Sequence, residues 1–125
     1  MIDELLAQAR QAARSARTLL SSGDPDGAVN RAYYAMFYAA QAALEHRGVE
    51  VTSSKHGTLV GRFGKHLVTP GLLPRSLGST LNEMLELRHE ADYSTQGVPP
   101  VDAERAATEA ETFVEAVERL IRGQV

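Results

Sequence analysis

Between positions 24 and 48 the chain reads DPDGAVNRAYYAMFYAAQAALEHRG, and few folds can accommodate such a stretch. Asp24 has the side chain of a helix N-cap, and Pro25 suits the first helical position, where no backbone N–H is required. Gly48 is the residue type that ends helices in a left-handed turn. At about 1.5 Å per residue the segment spans a little over ~30 Å, the length of a small domain. From 32 to 44 its one strongly polar side chain is Gln41. Val29, Tyr33, Met36, Ala40 and Leu44 share one face; Tyr34, Tyr38 and Ala42 share another. A helix apolar around so much of its circumference must be enclosed on several sides, so the remaining elements are expected to pack round it.

Those elements are also helical by period. Residues 3–22 place Leu5, Leu6, Ala9, Ala12, Ala13, Ala16, Leu19 and Leu20 at helical spacing, with Arg10, Arg14 and Arg17 as a stripe on the other side. Ser21-Ser22-Gly23-Asp24 breaks that helix. A third, weaker helix starts after a cap at Ser53 or Ser54 and reaches about Val68; Gly57, Gly61 and Gly64 predict that it is irregular. Pro70-Gly71 and Pro74 form a turn. Residues 75–93 form a fourth helix with Leu77, Leu81, Met84, Leu85 and Leu87 as apolar positions. The last helix covers 102–122, with Ala106, Ala110, Phe113, Val114, Val117, Leu120 and Ile121 facing inward. With no strand-like alternation, the expectation is all-α: an antiparallel up-down four-helix bundle with a short extra helix, residues 1–125 forming a single domain.

Composition narrows the function. A net charge of −3 provides no global basic field for nucleic acid, although a local patch remains compatible with it. With no cysteine there is neither a disulfide framework nor a thiolate metal site. The acidic, amphipathic start MIDELLAQAR is unlike a signal peptide, and no apolar run reaches the roughly 20 residues that cross a bilayer. The expected location is the cytoplasm, with no membrane partner.

The most informative local pattern is LELRHEADY. Arg88 falls four residues after Met84 and seven after Leu81, so the helical period carries an arginine onto an apolar seam. Asp92 lies one turn further. A buried guanidinium without partners is costly, which leaves two accounts. In one, Arg88 and Asp92 form an internal pair that fixes helix register. In the other, Arg88 is held by its neighbours to receive a phosphate in bidentate geometry. On the central helix Arg31, Tyr34 and Tyr38 share a face beside Asn30, as core tyrosines with tethered hydroxyls or as part of the same site. His46, His56, His66 and His89 show no metal-ligand spacing, so no metal and no cofactor are expected. His56, after Lys55 in a Ser/Gly-flanked segment, is the histidine best placed to contact phosphate.

GAVNRAYYAMFYAAQAALEHRGVE, SKHGTLVGRFGKHLV, GLL and LELRHEADY, in this order, resemble the small prokaryotic HEPN domains over nearly the whole chain. The ordered combination N-R-x-Y-Y-A-M-F, K-H-G and R-x-x-A-D-Y is specific where each alone is weak. The resemblance implies an antiparallel helical bundle, commonly a homodimer, frequently encoded beside a minimal nucleotidyltransferase with which it forms a toxin–antitoxin or related module.

Many HEPN proteins are metal-independent ribonucleases whose motif is an arginine, four to six residues, then a histidine, with two copies meeting across the dimer. Arginine stabilises charge on the phosphorane, and histidine, titrating near neutrality, moves the 2′-hydroxyl proton. Arg88 matches the motif's arginine. After four intervening residues stands Tyr93, with no histidine beyond it; tyrosine titrates near pH 10 and is a poor base at neutrality. The candidate catalytic residues are Arg88, which the resemblance implies, Tyr93, which stands at the place of the motif histidine, and His56, which is no motif match but can be brought in by folding. Arg88, Asp92, Arg31, Tyr34 and Lys55 are implied as contacts to RNA or nucleotide. Two functions follow: a toxin-type component acting on RNA or binding nucleotide, or a non-catalytic dimeric module that docks or regulates a nucleotidyltransferase.

Overall fold

The computed structural model describes residues 1–50 and 56–123, and among these the secondary structure is helical throughout. Helix α1 spans Ile2–Ser21, α2 Pro25–His46, α3 His56–Phe63, α4 Arg75–Tyr93 and α5 Pro100–Ile121. Between α3 and α4, Gly64–Val68 winds as a π-helical turn in which the Thr69 amide reaches back to the Gly64 carbonyl. The irregularity expected of the glycine-rich third helix takes this form. Another glycine, Gly78 of α4, lets that helix approach the π turn, since a Cβ there would stand 3.3 Å from a Val68 methyl.

The chain ends of α2 follow local chemistry. The Asp24 carboxylate accepts from the Gly27 amide at 2.9 Å, and Pro25 occupies the first turn. At the other end Gly48 takes φ +75°, so that its amide reaches the Glu45 carbonyl and the Val49 amide the Leu44 carbonyl. Two such bonds from a left-handed glycine form a Schellman cap. Gly23 closes α1 in the same way, with the Asp24 amide on the Leu19 carbonyl. One residue therefore completes the cap of α1 and begins α2, which forces an immediate reversal. Helix α5 starts at Pro100, two residues ahead of the position expected from its acidic turn, because a proline in the first helical position loses no intrahelical bond.

Helix α2 is the hub. It packs on α1, on α5 and on α4, with α3 and the π turn across one end. Chain direction alternates: α1 and α4 run against α2, and α5 runs with it. Helices α4 and α5 barely touch, so α4 leans on α2 rather than closing a square. Twelve residues of α2 are buried, seven of them alanines. Four more buried alanines lie on α1 and four on α5, which lets these three backbones come close together. Larger side chains, Leu59, Phe63, Leu67, Leu81, Met84 and Phe113, fill the space around the α4 side and the far end, where the Phe63 and Phe113 rings meet at 5.3 Å. The neighbours of α2 within the chain cover nearly all of it, leaving Tyr34 and Tyr38 as the half-buried aromatics.

The α4–α5 connection is tied to the start of the hub. Asp26, in the first turn of α2, accepts the Val98 amide at 2.8 Å, and Gly97 beside it takes φ +75°. A Cβ on Gly97 would lie 3.3 Å from both Asp26 carboxylate oxygens.

Candidate functional site

The period that buries Leu77, Leu81 and Met84 does bring Arg88 to the inner side of α4, against α2. Its guanidinium carbon lies 5.4 Å from the centre of the Tyr33 ring and 5.3 Å from that of Tyr34. Both distances are within the range where a cation is attracted by an aromatic face. Asp92 stands one turn away, with Oδ2 at 3.4 Å from Arg88 Nε. The approach is too oblique for a hydrogen bond, and Nε is buried with no hydrogen-bond partner. A guanidinium has five N–H donors. Among the described residues none of those on Arg88 makes a hydrogen bond. Arg88 is thus positioned by two rings and one loose carboxylate contact, with Nε buried and unpartnered, the remaining donors free of any acceptor among the described residues, and the side chain 20% exposed.

Tyr33 is the floor of this arrangement. It is fully buried, and burial pushes its hydroxyl well above the ordinary tyrosine range, with the charge of Arg88 acting in the opposite direction. The ring is therefore neutral at any working pH and presents its face to the cation. Tyr34, half-buried, also takes the Arg31 guanidinium carbon at 5.6 Å from its ring centre. Arg31, Tyr34 and Arg88 thus form a row that crosses from α2 to α4. Tyr38 extends the aromatic part, its ring 6.0 Å from Tyr34, with Phe37 packed against both.

Of the residues expected at a site, the structure brings Arg88, Asp92, Arg31 and Tyr34 together. Tyr93 is apart: five residues on from Arg88 it lies about 140° further round the helix, it is 80% exposed, and its ring stacks on His89 at 6.0 Å. Lys55 and the His56 side chain lie outside the described residues. Sequence reasoning missed Tyr33, which had been read as a core residue only. The antiparallel register of α2 and α4 places it under Arg88, and that register has no local signature. Among the described residues no group of histidines and carboxylates could hold a metal ion. No helix there is long and apolar enough to cross a membrane.

The charges elsewhere are arranged by the pairing of α1 with α5. Arg10 meets Glu118 at 3.1 Å and Arg17 meets Glu111 at 2.6 Å, the mirrored order that two antiparallel stripes require. The Glu111 hydrogen bond raises the Arg17 guanidinium further above its already high range. Arg14, the middle arginine, makes no ion pair among the described residues; Glu115, the carboxylate opposite in the stripe, is bound by Arg119. Helix α5 carries six carboxylates against two arginines, so the acidic balance of the chain is concentrated there.

Comparison with known proteins adds a family. The profile of the HEPN domain matches residues 2–120. A protein of Thermotoga maritima named "UPF0332 protein" is 33% identical over 91% of this chain and 86% of its own length. A protein of Methanocaldococcus jannaschii named "Putative toxin MJ0605" is 30% identical over 97% of this chain and 89% of its own. A "UPF0332 protein" of Gloeobacter violaceus is 36% identical over 72% of this chain and 70% of its own length.

Proposed function

The chain belongs to the HEPN family, and on that premise we propose that it is the toxin-type member of a two-protein module, binding the phosphate of RNA or of a nucleotide at Arg88. The observation that carries this reading is a guanidinium held between two rings, its Nε buried without a partner and its other donors not engaged by any acceptor among the described residues. Two rings restrict the side chain without using its N–H groups, and Asp92 restrains it from one edge. A phosphate arriving at such an arginine meets a bidentate donor whose conformational freedom has already been lost, which favours binding. Arg31, on the other contact of Tyr34, adds a second positive charge. The "Putative toxin" name of the Methanocaldococcus relative agrees with this role. In the proposed setting the protein works as a homodimer beside a minimal nucleotidyltransferase.

A second reading has one observation in its favour. The family's ribonuclease motif would put a histidine where Tyr93 stands, and Tyr93 faces solvent against His89 rather than Arg88. A protein that holds phosphate without a motif base would serve as a regulatory partner of the nucleotidyltransferase rather than as a nuclease.

Arg88→Lys tests the proposal, because it keeps the charge and most of the stem and removes the planar fork. The expected variant folds, loses RNA or nucleotide binding by about tenfold or more, and loses toxicity on expression. A lysine variant that is less stable yet binds, cleaves or poisons as the parent does would end the case for a site at Arg88.

A further inference from the structure

We propose that the open groove between α1 and α2 is a second phosphate-binding site, and that with Arg88 it takes single-stranded RNA rather than a mononucleotide. The inference rests on the reading of Arg88 given above and specifies its ligand. The groove has a volume of about 760 Å³ and is lined by Gln8, Gln11, Arg14, Ser15, Arg31 and Tyr38, among others. No carboxylate lines it, although the chain as a whole is acidic. Its two cations are both without an ion pair among the described residues. Arg14 is exposed on the crest of α1, and the carboxylate opposite it is held by Arg119. Arg31 lies in the groove and over the Tyr34 ring, whose neighbour is Arg88. The groove and the Arg88 site are therefore neighbours, linked by the Tyr34 ring that both Arg31 and Arg88 approach.

The chemistry of the lining specifies the ligand class. Arginines spaced along a track, with glutamine and serine donors between them, suit successive phosphates of one strand. Tyr38, half-buried and backed by Phe37, presents a ring on which an unpaired base can stack, and a duplex keeps its bases from such a ring. A mononucleotide could satisfy Arg88 alone and would leave the groove empty.

The test is fluorescence anisotropy of the full chain with a labelled oligouridylate of about twelve nucleotides and with a labelled uridine dinucleotide, over a range of salt. The oligomer is expected to bind more tightly than the dinucleotide. Arg14→Gln, at an exposed and unpaired position, is expected to weaken oligomer binding several-fold and to lower its salt slope by about 0.7, the share of one phosphate. Tyr38→Leu keeps apolar volume but removes the stacking face and should weaken the oligomer by about tenfold. Arg105→Gln, which removes a charge paired with Glu83 and Glu109 away from the groove, should not. If Arg14→Gln and Tyr38→Leu bind the oligomer as the parent does while Arg88→Lys does not, the groove is wrong and the Arg88 reading survives. Equal affinity for the two probes, or for a duplex of the same length, overturns the single-strand inference. Absence of binding to either probe by the parent removes both readings.

Discussion

Replacing Asp92 by asparagine separates an arginine that is merely paired from one that is held for a ligand. The Arg88–Asp92 contact is 3.4 Å long, oblique, and made by side chains 20% and 33% exposed. An i,i+4 pair of that exposure is worth about 0.5 kcal/mol, whereas breaking a sealed ion pair costs about 3–5 kcal/mol because a buried charge is left alone. Here the charge is not left alone: the Tyr33 and Tyr34 rings remain, each contributing on the order of 1 kcal/mol to a partly desolvated cation. Asp92→Asn should therefore lower stability by no more than about 1 kcal/mol, a shift in Tm of about 4 °C or less for a chain of this size. Urea denaturation followed by circular dichroism, run beside Tyr34→Leu, provides the comparison. Tyr34→Leu should cost more than Asp92→Asn. A loss above about 2 kcal/mol for Asp92→Asn, with Tyr34→Leu neutral, would mean that the carboxylate and not the rings carries Arg88, and the argument for unsatisfied donors would fail.

Asp26→Ala leaves the Val98 amide without its acceptor and removes a carboxylate from the first turn of α2, so it should cost about 1–3 kcal/mol in urea denaturation and accelerate hydrogen exchange at Val98. Gly97→Ala, forced to φ +75° with its Cβ close to the same carboxylate, should cost at least about 1 kcal/mol, and less when Asp26 is already alanine. Tyr33 has a folded-state pKa raised above the unfolded value by burial, so its contribution is complete below pH ~10 and is lost as pH rises beyond that at about 1.4 kcal/mol per pH unit. Tyr33→Phe should flatten that alkaline decline in a series of denaturation curves, and an unchanged slope would contradict the assignment.

What could be read in the sequence was whatever is decided within a few residues or by period. Asp24, Pro25 and Gly48 bound α2 because capping is a local matter, and the 75–93 helix was legible because leucines at steps of three and four allow one phase. Even the pairing of Arg10 with Glu118 and Arg17 with Glu111 was accessible, since antiparallel neighbours reverse the order of a stripe. The rest depends on how helices slide past one another. Tyr33 under Arg88, Asp26 on Val98 and the separation of α4 from α5 are consequences of register and tilt, which no window of sequence contains. Tyr93 shows the same dependence: linear spacing puts it five residues after Arg88, while its exposure and its contact with His89 follow from the rotation of α4 against its neighbours.

The alanine-lined contacts among α1, α2 and α5 invert the usual vulnerability of a core. Alanine scanning has nothing to remove at Ala9, Ala12, Ala32, Ala39, Ala40, Ala43, Ala106 or Ala110, all fully enclosed. The same positions have little room for added methylenes, because each is fully enclosed where two helices pack closely. Mutational tolerance along these helices should therefore fall with the size of the incoming residue: glycine and serine survive where valine and leucine do not. A scan that only shortens side chains would find the centre of this molecule silent, and one that lengthens them would outline it.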